Sequence, residues 1–330
     1  MRLRFHKILN QEYWPFWFFY LPVFLTWPLL ALRGKSLLFF TRINPFIPYG
    51  GCFGESKSDI LKLIPARFLP VTILVTEGTN WKSRAFSYPV ILKPDVGERG
   101  DNICIVNSEN EIGSYQSALG RPFLIQEFLT EKFEAGVMVA RVPGTREFEI
   151  TSIVTKEFLT VTGDGKTKLS DLIGLDPRAL MQWPRLRKSF DENLVLKSGE
   201  SLLLEPVGNH KRGTKFLDGN HLHTPELLKV MNEISGSVPD FDFGRFDLKA
   251  PSAESFKRGK GLKIMELNGA FSEPGHIYDP SASLFQSWRD LLRHWWTLAT
   301  LAGSRTQKTM SFSEFLSSYN QHRKLTQWNE

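Results

Sequence analysis

Oxygen-bearing side chains at alternate positions late in the chain could hold a divalent cation. Asp247 lies in the segment GRFDLK, and Glu266 and Asn268 lie in LKIMELN. Both segments have the composition of β-strands, where residues at i and i+2 point to the same face. Arg245 precedes Asp247 by two residues and shares its face. Carboxylate and amide oxygens suit Mg²⁺ beside phosphates, so the pattern indicates a metal site. The alternative is the polar outer faces of two antiparallel strands.

A lysine followed by a glycine-bounded loop could bind the phosphates of a nucleotide. Lys93 stands near the end of the run PVILKP, and a loop from Gly97 to Gly100 follows it. Glycines let backbone N–H groups approach phosphate oxygens, and a lysine supplies positive charge. No GK[ST] follows, so the loop is not a Walker motif. Taken alone, the pattern also fits a surface hairpin.

Short strands and helices alternate around these residues and must position them. Apolar, β-branched runs predict strands at 71–75, 89–94, 102–106, 123–129, 135–141, 147–155, 244–249 and 262–268. Helical spacing of apolar residues predicts helices at 55–63, 109–119, 176–190, 224–235 and 284–302. Hairpins mixed with helices favour an α+β chain over a doubly wound parallel sheet.

The composition excludes several classes of protein. The 330 residues are 42 % hydrophobic and 23 % charged, which excludes a wholly disordered chain and a polytopic membrane protein. A net charge of +6 is too small to indicate nucleic-acid binding, and no nucleic-acid motif is present. Two cysteines, Cys52 and Cys104, build neither a disulfide framework nor a zinc site. Two buried thiols in a reducing cytosol are predicted, with a single bridge as the alternative.

An uncharged, aromatic segment, Tyr13–Leu32, precedes all of these elements. Its twenty residues include nine aromatics and three prolines, and its length would let a helix cross a bilayer. Pro15, Pro22 and Pro28 would interrupt such a helix, and Trp and Tyr prefer the headgroup region. An interfacial or re-entrant anchor is therefore predicted. A spanning helix and an arm packed on the protein's own core are the alternatives.

The order of these motifs resembles the ATP-grasp superfamily from about Glu55 to Pro280. Five features follow one another in the order of that family. They are a lysine on a helix, a lysine on a strand before a glycine loop, a hinge segment that contacts adenine, an acid, and a pair of strands with metal-binding residues. The matching segments are GESKSDIL, YPVILKPDVGERG, LIQEFL, a single glutamate, and R-x-D with E-x-N. The resemblance implies an α+β ATP-grasp fold, with two α+β subdomains enclosing the nucleotide and the hydrophobic aromatic-rich arm as an addition.

The resemblance also implies a role for each matching residue. Lys57 and Lys93 would bind phosphates with Gly97 and Gly100, and Glu134 would bind the ribose hydroxyls. The implied adenine contacts are Gln126, Glu127, Phe128 and Leu129, and the implied metal ligands are Asp247, Glu266 and Asn268. ATP and Mg²⁺ are the implied cofactors, with Mn²⁺ as an alternative metal.

Finer motifs point to carboxylate–amine ligases within that superfamily. VTGDGKTKLSDLI and MELNGAFSEPGHIYDP are similar to segments of cyanophycin synthetase-like and glutathione-type ligases. The chain also resembles D-alanine–D-alanine ligase-like enzymes. His210 and Arg212, in GNHKRGTKF, would bind the γ-phosphate or a carboxylate, unless that segment is only a surface loop. Arg245 would act in catalysis, and Lys156, or Arg141, would replace the arginine that usually steadies an acyl phosphate.

The predicted reaction is therefore activation of a carboxylate by ATP for attack by an amine or similar nucleophile. A kinase acting on a hydroxyl and a non-catalytic nucleotide-binding protein are the alternatives. The predicted parts are an arm with its linker at 1–50, subdomains at 51–128 and 129–283, and a helical segment at 284–330. The predicted carboxylate and amine substrates are small molecules or lipid-like. Relatives usually carry a substrate domain where this chain has the arm, which suggests the lipid-like class. The predicted location is the cytoplasmic side of a membrane, peripheral or monotopic, with a single-pass or cytoplasmic protein as alternatives and a homodimer left open.

Overall fold

A computed structural model gives the structure of the chain and describes residues 2–83, 87–97 and 100–326. The helices are α1 (Arg2–Leu9), α2 (Phe16–Phe19), α3 (Leu21–Gly34), α4 (Lys57–Leu61), α5 (Glu109–Leu119), α6 (Leu169–Leu175), α7 (Pro177–Leu186), α8 (Pro225–Ser237), α9 (Ala253–Lys257), α10 (Leu284–Ser304) and α11 (Phe312–Thr326). The strands are β1 (Thr72–Val75), β2 (Val90–Pro94), β3 (Cys104–Val106), β4 (Phe123–Glu127), β5 (Phe133–Arg141), β6 (Phe148–Glu157), β7 (Thr160–Thr162), β8 (Ser201–Leu203), β9 (Lys215–Asp218), β10 (Phe243–Ala250) and β11 (Lys263–Asn268).

These strands form two main antiparallel sheets and a small hairpin. The four-stranded sheet has the order β1-β4-β2-β3, and the five-stranded sheet has the order β11-β10-β5-β6-β9. Strands β7 and β8 pair with each other. Neighbours are antiparallel throughout, so the prediction of an α+β chain is confirmed. Strands β7, β8 and β9 were not predicted, because three or four residues are too few to show alternation.

One face of the five-stranded sheet is apolar over its centre. Alternate residues of β5 and β10, such as Val137 and Phe246, point to that face and are fully buried. Helix α8 covers them with Leu227, Met231 and Ile234. These three residues lie at spacings of four and three along α8, which places them on one side of the helix.

The opposite face of the same sheet is divided between charged and aromatic residues. At one end the arm packs on Met138, Ala140 and Phe243, together with the buried side of α10. We call this group the aromatic cluster; its buried aromatic members are Phe19, Tyr20, Phe39, Phe40, Phe243 and Trp295. Charged side chains occupy the other end.

The arm is three short helices, and its prolines explain where two of them begin. Pro15 immediately precedes α2, and Pro22 lies in the first turn of α3, where its missing N–H removes no helical hydrogen bond. Pro28 lies inside α3, which nevertheless continues to Gly34. The expectation that all three prolines would interrupt the segment is therefore wrong for Pro28.

Tertiary packing holds the inner side of the arm. Helix α3 lies along α10, with the rings of Trp27 and Trp295 5.4 Å apart between centroids. The indole of Trp288 donates a hydrogen bond to the carbonyl of Phe19 at 3.0 Å. The arm is thus partly core, the alternative left open by its sequence. Among the described residues, no helix combines the length and apolar character needed to cross a bilayer.

Both cysteines are partly buried. Within the described part of the chain, no disulfide joins Cys52 to Cys104. The chain carries two thiols rather than the bridge that was the alternative.

Candidate functional site

Charged side chains from four neighbouring strands form a row on one face of the five-stranded sheet. Asp247 lies opposite Glu266, and Arg245 lies opposite Asn268, in the pairing of β10 with β11. We call these four, with Glu134, Lys156 and Lys249, the charged row. Strand alternation places its members on one face, and antiparallel pairing sets opposite residues about 5 Å apart. The metal-binding side chains predicted from the sequence are therefore neighbours in the structure.

Gly136 makes room for the charged row. It lies opposite Asp247 in the pairing of β5 with β10. A Cβ built at this position would stand 3.0 Å from the Oδ1 of Asp247 and 2.9 Å from the Cγ1 of Val154. The missing side chain therefore gives the carboxylate its space.

Arg245 and Asp247 form a tightly paired charge couple. The Nε of Arg245 lies 2.8 Å from Oδ1 of Asp247, and its Nη2 lies 3.2 Å from Oδ2. Burial alone would raise the pKa of Asp247, but the charges of Arg245 and Lys156 outweigh it and hold the pKa below its ordinary value. The carboxylate is therefore ionised at neutral pH.

Lys156 extends the row to β6. Its Nζ donates a hydrogen bond to the Oε1 of Glu134 at 2.7 Å and lies 4.0 Å from the Oδ2 of Asp247. Burial lowers the pKa of Lys156, but the carboxylates of Glu134 and Asp247 outweigh it and raise the pKa overall. Glu134 also lies 3.9 Å from the Nζ of Lys249. Two lysines therefore flank this glutamate, which is predicted to bind the ribose hydroxyls.

Two buried lysines reach the row from the side of the four-stranded sheet. The Nζ of Lys93 donates to the carbonyl of Met265 at 2.9 Å, and burial lowers its pKa to about 8. The Nζ of Lys57 donates to the carbonyl of Gly97 at 2.5 Å and lies 3.5 Å from the Oε1 of Glu266. Both lysines are thus held at the boundary between the two sheets, beside the Glu266 carboxylate of β11.

Asp95, which was not predicted from the sequence, fixes the position of Lys57. The Oδ1 of Asp95 accepts from the backbone N–H of Ser58 at 2.8 Å, and its Oδ2 accepts from the hydroxyl of Ser56 at 2.8 Å. The backbone N–H of Lys57 donates to the carbonyl of Asp95. Asp95 therefore anchors the start of α4, and its place directly after the strand of Lys93 was the available signal.

The predicted adenine contacts lie along β4 and just after it. Gln126 is buried and its side-chain amide donates to the hydroxyl of Thr72 at 2.9 Å. Glu127 is exposed, and its carboxylate accepts from the backbone of Val71. Among the described residues, neither side chain makes a hydrogen bond or an ion pair with a member of the charged row. The adenine role of these residues stays a prediction.

Lys249 joins the hinge to the charged row and was also missed. Its Nζ donates to the carbonyl of Leu129 at 3.0 Å and lies 5.7 Å from the ring centre of Phe128. Desolvation by burial lowers the pKa of Lys249. The alternation Arg245, Asp247, Lys249 along one strand was the signal that could have placed it on the same face.

His210 and Arg212 do not enter the charged row. The Nε2 of His210 lies 3.0 Å from the Oε2 of Glu12, which belongs to the arm and also pairs with Arg178. The guanidinium of Arg212 donates to the carbonyl of Gly100 at 3.1 Å, and so contacts the glycine loop. The phosphate or carboxylate roles proposed for His210 and Arg212 stay predictions. The middle of that loop, residues 98 and 99, lies outside the described residues.

Arg141 is placed at the far end of β5 from the charged row. Its Nε lies 2.9 Å from the Oδ1 of Asp242, and its guanidinium stacks 4.6 Å over the ring of Phe148. These contacts hold the end of the sheet together. Lys156 is therefore the better placed of the two basic residues suggested for steadying an acyl phosphate.

The donor set fits a hard divalent cation. The Nδ2 of Asn268 is buried without a hydrogen-bond partner among the described residues. A flip of this amide would direct its oxygen there, and that oxygen suits Mg²⁺. No group of three or more His, Cys, Asp or Glu side chains that could hold a metal ion is found in the part of the chain that the structure describes. The candidate set comprises two carboxylates and one amide, as expected where nucleotide phosphates complete the coordination.

No protein-family model matches the chain, and no curated protein matches it in sequence. Solved structures are similar at low identity. A bifunctional glutathione synthetase from Pasteurella multocida matches at 12 % identity with a TM-score of 0.39, covering 69 % of this chain and 34 % of that protein. The VanG D-Ala:D-Ser ligase from Enterococcus faecalis matches at 14 % identity with a TM-score of 0.38, covering 73 % and 61 %. D-alanine–D-alanine ligase from Bacillus anthracis matches at 14 % with a TM-score of 0.40, covering 82 % and 69 %.

These proteins include the ligase types that the sequence motifs resemble. The aligned part of the chain spans about a third of the length of the glutathione synthetase and 61 % of the D-Ala:D-Ser ligase. Identities this low bear on the fold alone, and TM-scores near 0.4 carry nothing about activity.

Proposed function

We propose that this chain is an ATP- and Mg²⁺-dependent ligase of the ATP-grasp type, which activates a carboxylate as an acyl phosphate for attack by an amine. One observation carries the proposal. Buried Lys57 and Lys93, from the side of the four-stranded sheet, converge with Asp247 and Glu266 of the five-stranded sheet. A site rich in both buried lysines and carboxylates suits a polyphosphate with its metal better than it suits a neutral ligand.

The lysines would neutralise the phosphates of ATP. Lys57 and Lys93 lie beside Glu266, and Lys156 lies beside Asp247, so positive charge borders the metal-binding carboxylates on two sides. Phosphoryl transfer depends mainly on positioning and charge stabilisation, which these fixed side chains provide. Neither a nucleophilic cysteine nor a serine is required for this chemistry.

Asp247, Glu266 and Asn268 would hold Mg²⁺, which supplies charge neutralisation at the phosphates when it is bound. An oxygen of the substrate carboxylate would form a bond to the γ-phosphorus while the bond to the β-phosphate oxygen breaks, releasing ADP. The amine would then form a bond to the acyl carbon, inorganic phosphate would leave, and the amine proton would pass to solvent. Arg245 and Lys156 are placed to stabilise the negative charge of both steps.

Two substitutions test the site. Lys93→Ala and Glu266→Gln should each abolish ADP formation from ATP while circular dichroism and the melting temperature show a folded protein. Glu254→Gln is the matched control, because Glu254 is an exposed carboxylate whose ion pairs, within the described part of the chain, are with Lys257 and Arg258 at the end of α9. Undiminished ADP formation in either site variant would refute the assignment.

The substrates can be sought with a cell or lipid extract. The protein, ATP and Mg²⁺ should yield ADP together with a conjugate that has lost one water molecule, detected by mass spectrometry. ADP with a phosphorylated product, and no conjugate, would instead identify a kinase. ATP that binds without any turnover would indicate the non-catalytic alternative.

The proposal also includes a membrane surface and lipid-like substrates. Its support is the arm, which stands beside the charged row and keeps part of its apolar surface exposed. Fractionating the extract sharpens this part: the conjugate should arise from the lipid fraction. A conjugate formed only from the aqueous fraction would contradict the lipid-like substrate and leave the ligase chemistry intact.

A further inference from the structure

The arm has an inner side in the core and an outer side without cover in the described structure. Eight large apolar residues of α2 and α3 are exposed; they are Phe16, Trp17, Phe18, Leu21, Phe24, Leu25, Leu29 and Leu32. Those on α3 recur at spacings of three, one, four and three, so they form one stripe along the helix. Leu25 is 73 % exposed and Leu32 is 76 % exposed. Val23 and Leu30, on the other side of the helix, are fully buried.

Helix α10 extends this stripe. Phe285 and Trp296 are exposed on it, although Trp295 and Leu298 are buried. Arg33, at the end of α3, lies over the ring of Trp296 at 5.6 Å. The two helices therefore present adjoining surfaces, which together we call the outer face.

Positive charge borders the outer face. The sequence carries no Asp or Glu from Tyr13 to Gly54. Arg33 and Lys35 are exposed at the end of α3, and Arg289 and Arg293 are exposed on α10. The acid of α10, Asp290, is paired with Arg289 at 2.9 Å and lies 3.3 Å from the Nε2 of His276.

The geometry favours a surface that lies on a bilayer. Helix α3 has 14 residues, a length of about 21 Å, against about 30 Å of hydrocarbon. Its inner side is also fixed against α10, and withdrawing that side from the core would expose Val23 and Leu30. Exposed Trp17 and Trp296 are of the residue type that collects at the headgroup level.

We propose that the outer face docks on an anionic lipid bilayer. Its leucine and phenylalanine side chains enter the boundary between headgroups and acyl chains, and the bordering arginines and Lys35 contact lipid phosphates. The inference rests on the membrane location in the proposed function, but it does not depend on the ligase chemistry. Basic residues around an uncharged apolar stripe fit anionic lipid, whereas a second copy of the chain would bring the same positive charges together.

One side chain joins the docked face to the candidate site. The ring of Tyr20 stacks on exposed Phe16 at 4.2 Å, and its hydroxyl donates to the carboxylate of Glu273. The carbonyl of Glu273 accepts from the Nη1 of Arg245 at 3.0 Å. A bilayer on the outer face therefore lies close to the charged row.

Vesicle sedimentation tests the docking. The full chain, without nucleotide, should bind vesicles of phosphatidylcholine with phosphatidylglycerol more strongly than vesicles of phosphatidylcholine alone, and added salt should reduce the difference. The double variant Trp17→Ser and Leu25→Ser should lose at least about tenfold in partition, because two large apolar side chains no longer enter the lipid. Both side chains are mostly exposed, so the variant should keep the melting temperature of the unchanged chain.

A matched control and a charge variant complete the experiment. The double variant Leu175→Ser and Leu203→Ser removes exposed leucines from α6 and β8, away from the outer face, and should bind vesicles normally. Arg293→Gln with Lys35→Gln should reduce the preference for phosphatidylglycerol. Unchanged partition of the Trp17 and Leu25 variant would overturn the proposal, as would a dimer held by the outer face that vesicles do not dissociate. ADP formation measured without vesicles tells these failures apart from failure of the ligase assignment.

Discussion

The charged row and the aromatic cluster share one face of one sheet, but burial has opposite effects on the free energy of folding in the two groups. On β10, Phe243 belongs to the cluster and Arg245, two residues later, belongs to the row. Burial of Phe243 removes apolar surface from water and stabilises the fold. Burial of Arg245 and Asp247 costs solvation, which their mutual pairing offsets.

The difference separates stability from binding. A buried ion pair gives little net stability relative to apolar residues, so a row of such charges along four strands is poorly explained by folding alone. The aromatic cluster supplies the stability and the rigid support next to it. Substitutions in the two regions should therefore have different readouts, and the predictions below run from the largest effect to the smallest.

The strongest way to break the comparison is Asp247→Asn. It removes a charge that the proposed metal requires and should lower ADP formation at least about a thousandfold, equivalent to about 4 kcal/mol of transition-state stabilisation. The melting temperature should change by only a few degrees, because Arg245 keeps a hydrogen-bond acceptor. Turnover and thermal unfolding measured on the same sample check both statements.

Asp242→Asn is its matched control. Asp242 is also buried, but it pairs with Arg141 and Arg305. It directly precedes Phe243, at the end of the sheet that carries the aromatic cluster. This variant should lose more stability than Asp247→Asn, because two arginines lose the negative charge between them, while the folded molecules keep their turnover. If Asp247→Asn destabilised the protein as much as Asp242→Asn and left turnover intact, the charged row would be structural.

Phe243→Ala tests the aromatic half. Phe243 is fully buried beside His294, so truncation should cost about 3 kcal/mol in the free energy of unfolding. Urea unfolding measures that loss, and ADP binding by the folded fraction should be close to normal. Loss of ADP binding without loss of stability would show that the two halves are not separable.

Gly136→Ala examines the boundary between the halves. The added methyl would press on Asp247, Val154 and Arg245 at about 3 Å. It should cost about 2 kcal/mol in unfolding free energy and also weaken Mg²⁺-dependent ADP binding, because the carboxylate must shift. An effect on only one of the two readouts would place Gly136 wholly in one region.

The smallest effect concerns pH and Lys93. Its pKa of about 8 in the fold lies below the ordinary value near 10.5, because burial disfavours the charged form. Between these two values the unfolded chain binds more protons, so this group makes stability rise with pH in that window. Metal-free tripolyphosphate affinity should fall by up to about tenfold per pH unit above pH 8 as the charge is lost. Titration calorimetry checks this, and Lys93→Arg should flatten the profile; an unchanged decline would assign it to another group.

Local patterns in the sequence were sufficient to predict the strands β10 and β11 and the residues that share a face on each. The alternation of Arg245 with Asp247, and of Glu266 with Asn268, predicted shared faces, and the structure sets these residues opposite one another. The pairing of Glu12 with His210 had no such signal, because 198 residues separate them. The arm could not be divided into inner and outer sides either, since its residues are apolar on all sides and the division arises from packing on α10 and on the sheet.

The packing of α3 on α10 also constrains how the chain is assembled. During synthesis the most apolar segment emerges before its partner, and about 250 residues must follow before Leu284–Ser304 can cover it. Contacts so distant in sequence form slowly, and apolar surface exposed meanwhile favours aggregation. The growing chain therefore exposes the apolar surface of α3 until α10 has been synthesised. Chains cut short before that helix should be captured by chaperones or aggregate, even though every residue of the charged row has already been made.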